Sequence, residues 1–390
     1  MREPAFVNHS ANRLPGLDLL RSIAILWVML FHSFIVDGVG PRFDPLARYG
    51  WVGVDIFFVL SGFLIGSQLL RGLQRGEGLA LGAFYARRAW RILPAFAVVL
   101  ALYQFVPALR EAPGLQDWWQ FATFTLNLLI DYGQNQAFSH AWSLCVEEHF
   151  YLVFPLLAWL LTRRPSASRF LLLCGGVVLL GIALRTGIWL HDTATDPPRP
   201  WFVEDLYYPT WSRLDGLLMG VMLAALRVYR PQQWAALQAR SSALLAGAVA
   251  VLGLAFWLFS ERTGLLANAL GWPVLSFGFG LLTLAATNPR GWLGRRELPG
   301  VGWLATVSYS LYLSHKIAMH LVHEYIAPSM ESQGLLLFAV YVIAILLGGA
   351  ALHYLVERPG LRLRDRLQAA GRMPVAARDV QQGVGRTASP

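Results

Sequence analysis

Lysine and cysteine are almost missing. The 390-residue chain has one lysine, Lys316, and two cysteines, Cys145 and Cys174. Two cysteines exclude a disulfide framework and a CxxC metal pair. No HxxxH or HExxH pattern falls inside an apolar run, so no metal centre is expected. Charge is also scarce: 14% of residues are charged against 56% hydrophobic, with a mean hydropathy of +0.47. A soluble domain is nearer one-quarter charged, which rules out a soluble enzyme of ordinary build. A secretory signal is excluded too, because the first apolar run is too long and carries Arg21 and His32. There is no internal repeat and no inverted pair of broken helices, which argues against a transporter built from repeats.

What is present is a succession of apolar runs of membrane-spanning length, from Leu17 almost to Val356. The pattern predicts an all-α polytopic bundle of ten spans over 17–36, 51–70, 92–109, 146–161, 170–190, 210–226, 242–260, 267–287, 303–323 and 335–356. The shortest of these, 146–161, contains Pro155. The apolar stretch 118–130 is too short to cross and reads as an interfacial or re-entrant segment. Residues 1–360 form the membrane domain. The basic tail 361–390 reads as a short surface helix fading into disorder.

An even number of spans puts both termini on one side. The segments on that side hold 23 arginines and the opposite loops hold 5. Acids lean the other way, so the arginine-rich side should be cytoplasmic. The net charge of +9 is then topology-setting loop charge, and nucleic acid is not an expected partner.

An ionisable residue at bilayer depth is a functional hypothesis by default. Arg21 lies near the cytoplasmic end of the first span, and His32 lies about 16 Å further out at 1.5 Å per residue. Their spacing is about three helical turns, so the two share a face. Asp18 is close enough to pair with Arg21, and snorkelling beside it is the bland reading of that arginine. On this topology Asp55, Glu147, Glu148, Arg213, Asp215, His315 and Lys316 gather with His32 in the middle and outer half. Ser143, Glu147 and Tyr151 share one helical face, and Glu148 is turned about a quarter-circle away. A histidine held by a carboxylate is suited to take a proton from a hydroxyl nucleophile. Asp55 or Glu147 is expected to orient His32. Taken singly, His32 could be a packing imidazole and Asp55 a helix-start carboxylate.

On the cytoplasmic side the loop YARRAWRILP places Arg87 and Arg91 on one helical face, with Arg88 displaced by about 100°. Pro94 suits a helix entry. Guanidinium forks fit phosphate, so these arginines could hold a donor such as an acyl-CoA. The ordinary alternative is topology-setting charge against lipid headgroups.

The segments LDLLRSIAILWVMLFHSF, GVDIFFVLSGFLIG, RRAWRILPAF, AWSLCVEEHFYLVFP, RLDGLLMG, SYSLYLSHK and YLVERP, in that order, resemble the acyltransferase 3 family of integral-membrane acyltransferases. The resemblance runs over nearly the whole chain. It implies transfer of an acetyl or other short acyl group from cytoplasmic acyl-CoA, acetyl-CoA first among them, to a hydroxyl of an extracytoplasmic glycan at a bacterial inner membrane. By position it implies a role in transfer for His32, with Glu147, Glu148 and His315 in further matching motifs. Arg21, Arg88 and Arg91 fall on donor-associated elements, and Glu357 closes the pattern. His149 departs from it, where many relatives have glutamine. Relatives with an appended hydrolase-like domain continue for hundreds of residues. Without one, the membrane domain or a partner is expected to engage the acceptor. The loops 37–50, 111–145 and 191–209, rich in acids and aromatics, are expected to recognise sugar. The rival reading of the same buried ionisable groups is a proton-coupled transporter or glycan exporter; a structural envelope subunit is the blander one.

Overall fold

The structure is a computed structural model that describes residues 14–36, 43–330 and 334–371. The described chain is helical, with no strand. We label the principal helices α1 (Pro15–His32), α2 (Gly53–Gln74), α3 (Leu81–Phe105), α4 (Trp142–Arg163), α5 (Ala167–Thr195) and α6 (Asp215–Tyr229). They continue with α7 (Ser241–Leu258), α8 (Trp272–Ala286), α9 (Val301–Tyr325), α10 (Gly334–Leu352) and α11 (Arg358–Ala369). Among the described residues, seven helices are long and apolar enough to cross a membrane by length and composition. The chain is a polytopic helix bundle.

The bundle has the polarity that lipid imposes. Along α5 the buried residues are Cys174, Gly181, Arg185 and Asp192, a stripe at helical spacing, while Leu171, Leu172, Leu179 and Leu180 point outward. Apolar side chains face out and polar ones in because hydrocarbon supplies no hydrogen bonds.

The tightest pair is α2 against α6. Two small-residue stripes, Gly62 with Gly66 and Gly216 with Gly220, face each other. A Cβ on Gly62 would lie 2.1 Å from the Leu217 carbonyl oxygen, and one on Gly220 would lie 2.3 Å from that of Val59. Only glycine lets the two backbones approach this closely, which is how helices associate where burial gives no drive. Helix α1 runs parallel to α9. Ser22 donates to the Val301 carbonyl at 3.0 Å near one end, and His32 meets His315 near the other.

Three local expectations change. Pro94 lies inside α3 rather than at its start. The helix accepts it because proline costs one N–H bond, and the ring packs beside Gly360. Helix α4 keeps Pro155 inside it, as expected, but begins at Trp142, ahead of the expected start. The expected sixth span divides into a 3-10 turn, Thr210–Ser212, and α6, with Arg213 between them. The stretch 118–130 forms two short helices, Trp118–Ala122 and Leu126–Leu129, neither long enough to cross. Helix α11 straddles the expected boundary at 360/361. The part of the tail expected to be disordered lies outside the described residues.

Candidate active site

Helices α1, α2, α3, α4 and α9 enclose a cavity of ≈ 130 Å³ whose lining includes Arg21, Ser61, Arg88, Arg91, Glu147, Tyr151, Ser143 and Tyr312. Glu147 is fixed within it. It accepts from Ser61 Oγ at 2.9 Å and from the Tyr151 hydroxyl, one turn along α4, at 2.8 Å. The arginines differ in their freedom. Arg91 Nη1 lies 2.5 Å from Glu357 Oε1. Glu357 also accepts from Ser310 Oγ at 2.7 Å and contacts His353 Nδ1 at 2.9 Å. Arg21 and Arg88 make no ion pair among the described residues. Arg88 stacks over the Tyr151 ring at 5.2 Å. The cavity therefore presents, beside Glu147, two guanidinium groups that make no ion pair among the described residues and a third held from behind. Arg87 does not line it, although its spacing puts it on the same helical face as Arg91, one turn earlier.

The cavity ends at a hydrogen bond. Ser143 Oγ and the Tyr312 hydroxyl are 2.6 Å apart, and that hydroxyl also donates to the His140 carbonyl at 2.7 Å. One turn further along α9 stands His315, fully buried. His315 and His32 do not line the cavity.

The orientation of His32 is set by a chain of donors. His315 Nδ1 faces the carbonyls of Leu311 at 3.2 Å and Tyr312 at 2.8 Å. Carbonyls only accept, so Nδ1 must carry the ring proton, and the neutral ring then accepts at Nε2. His32 Nδ1 is 2.8 Å from that Nε2 and must be the donor. The lone pair of neutral His32 is thereby placed on its own Nε2, the arrangement a general base needs.

This corrects the expectation that a carboxylate orients His32. Asp55 is bound to Arg213, whose Nη2 lies 2.8 Å and 3.0 Å from its two carboxylate oxygens. The cause is the close α2–α6 packing, which sets the start of α2 beside Arg213, two residues ahead of α6. Glu147 is occupied by Ser61 and Tyr151. Glu148 is turned out of the cavity lining, with its buried Oε1 lacking a partner. Cys145 donates to the Ala141 carbonyl, in the turn just ahead of its own helix. Asp215 pairs with Arg185 at 2.8 Å, and Lys316 pairs with Glu111 at 3.2 Å.

Sequence reasoning missed His140. It is buried with both ring nitrogens unpartnered, its ring centroid 5.1 Å from that of His315 and 6.2 Å from that of His32. It lies in a 3-10 turn before α4, and its only signal was its place just ahead of the AWSL run. Among the described residues no group of histidine, cysteine and carboxylates could hold a metal ion.

A basic cavity inside a polytopic bundle, closed by a serine–tyrosine contact beside a histidine pair, suits a membrane protein that handles an anionic donor. Comparison with known proteins specifies the class. The acyltransferase domain model matches residues 14–354, and the chain belongs to the acyltransferase 3 family. It is similar to the peptidoglycan O-acetyltransferase OatA of Listeria monocytogenes, 28% identical over 368 residues, covering 86% of this chain and 54% of that protein. It is also similar to the O-acetyltransferase OatA of Staphylococcus aureus, 28% identical over 368 residues, covering 87% and 55%. The chain thus spans about half the length of the curated relatives it matches. No solved structure matches it.

Proposed function

We propose that this chain is an O-acyltransferase that moves an acetyl or other short acyl group from cytoplasmic acyl-CoA to a hydroxyl of an extracytoplasmic glycan. It would sit in a bacterial inner membrane as ten crossings with both termini cytoplasmic. All ten expected spans overlap helices, and the arginine asymmetry supports that orientation. Arg21 and Arg88 bind donor phosphates, and Arg91, braced by Glu357, completes the mouth. The thioester passes between Tyr312 and Ser143, whose hydrogen bond opens to admit it. His32 Nε2 takes the proton of the acceptor hydroxyl as its oxygen attacks the thioester carbon. The tetrahedral intermediate collapses by breaking the C–S bond. The imidazolium returns its proton to the departing thiolate, leaving an ester and coenzyme A. His315 and Glu147 are positioning residues, for His32 and for the cavity wall. Asp55 serves through Arg213 in holding the bundle, and Glu148, outside the cavity lining, takes no step.

The observation that carries this reading is the tautomer chain ending on His32 Nε2, beyond a cavity in which Arg21 and Arg88 make no ion pair among the described residues. The test is transfer from labelled acetyl-CoA to glycan in membranes holding the protein. Label should appear on glycan with the native chain and be lost with His32→Ala. Transfer undiminished by that substitution contradicts the reading.

A further inference from the structure

The mechanism leaves unused a partly buried cation that makes no ion pair among the described residues, Arg262. Arg262 follows the turn at the end of α7 and reaches back into the bundle, where aromatic rings surround it. Its guanidinium carbon lies 4.4 Å from the Tyr207 ring centroid, 4.7 Å from Trp51, 5.6 Å from Phe202 and 5.7 Å from Phe31. Phe31 in turn stacks against His32, with ring centroids 5.4 Å apart. Arg262 is thus one ring away from the proposed base, at the end of the bundle where α1 finishes and α2 begins.

Ring faces satisfy a guanidinium's charge but not its five N–H donors, which point outward in the plane. Arg262 makes no ion pair among the described residues, and its Nε is buried without a hydrogen-bond partner. The acids nearby are committed. Asp55 pairs with Arg213 and Asp215 with Arg185. Arg199 holds Glu204 at 3.1 Å and Asp205 at 2.7 Å. Even so, burial keeps the Asp205 carboxyl above the usual carboxylate range.

The contrast with Arg213 is informative. Arg213 shares the Tyr207 ring, at 4.6 Å, but is closed from solvent and tied to Asp55, so it reads as architecture. Arg262 is only partly buried. Its backbone is fixed in advance, since Asn268 donates to the Arg262 carbonyl at 3.1 Å and to that of Gly264 at 2.8 Å. A held, partly open guanidinium walled by aromatic rings is a site for an anionic oxygen group on a ligand with stacking faces.

We propose that Arg262 anchors an anionic group, a carboxylate or phosphate, on the glycan acceptor, with the half-buried Phe202 and Phe31 as the stacking walls and the buried Trp51 and Tyr207 holding the guanidinium from behind. This rests on the acyl-transfer reading for the ligand's role but is testable without it. Binding to the purified full-length chain is measured with three probes: a uronic-acid disaccharide, the neutral hexose disaccharide of the same linkage, and N-acetylglucosamine 1-phosphate. The native chain should bind at least one anionic probe about tenfold or more tightly than the neutral one. Added salt should erode that preference. Preference for the disaccharide identifies a sugar carboxylate, and preference for the phosphate identifies a phosphorylated glycan. Arg262→Gln should abolish the preference with neutral affinity unchanged, and Arg262→Lys should restore part of it. If Arg262→Gln does not fold, the salt response and Arg262→Lys carry the test. No anionic preference in the native chain, or one that survives Arg262→Gln, overturns the proposal. Acetyl transfer scored separately distinguishes a failed anchor from a failed acyl-transfer reading.

Discussion

His32 owes its proposed chemistry to its neighbour rather than to an acid. Replacing it by alanine removes the base. The expected cost is about 10²–10⁴-fold in transfer rate, with acyl-CoA binding and thermal stability near native, as read by single-turnover kinetics and melting. His315→Leu leaves His32 Nδ1 without its acceptor and frees the ring to rotate. Its transfer rate should fall while the KM for acyl-CoA stays within about twofold of native. The arginines separate in the same assay. Arg88→Gln should raise the KM for acyl-CoA without destabilising the fold. Arg91→Gln should do both, because it takes the arginine from Glu357, which is 1% exposed and keeps only Ser310 and His353; with Arg91 itself 32% exposed, the loss should be about 1–3 kcal/mol. Equal stability of the two variants would contradict the distinction drawn between free and braced guanidinium groups.

At the scale of elements, the site depends on how closely α2 and α6 approach. Gly220→Ala places a methyl against the Val59 carbonyl and must push the helices apart. Overpacking of this kind typically costs about 1–3 kcal/mol. Because Asp55 and Arg213 are brought together by the same contact, a lowered melting temperature should be accompanied by weakened Asp55–Arg213 coupling in a double-mutant cycle. The helices themselves were legible in the sequence, since apolar runs of membrane length leave few alternatives. The shared face of Ser143, Glu147 and Tyr151 was legible for the same reason: spacing within one helix fixes direction. Pairing between helices was not. Nothing in the spacing of Asp55 says that Arg213, 158 positions away, will claim it, and nothing in His32 names His315 as its partner. Those depend on which helix faces meet, which here follows from glycine stripes. His140 went unread because it sits in a turn, outside any periodic pattern. Pro94 was misplaced because a helix bundle tolerates an interior proline that an isolated helix would reject.

For the whole molecule, the account divides the bundle into a basic donor cavity, a hydrogen-bonded seal and a histidine pair beyond it. The Tyr312–Ser143 contact separates the cavity from the histidine pair. Tyr312→Phe removes that contact and the bond to the His140 carbonyl. Hydrolysis of acyl-CoA without acceptor should then rise several-fold while transfer to glycan falls; unchanged hydrolysis would mean the contact does not separate donor from acceptor. The most direct measurement of the central claim uses sealed vesicles of known orientation. Labelled acetyl-CoA is supplied only on the side bearing Arg88, with glycan only on the opposite side. The account predicts acetyl label on the glycan with the native chain and none with His32→Ala. Label that requires both substrates on one face, or that forms equally without His32, would contradict it.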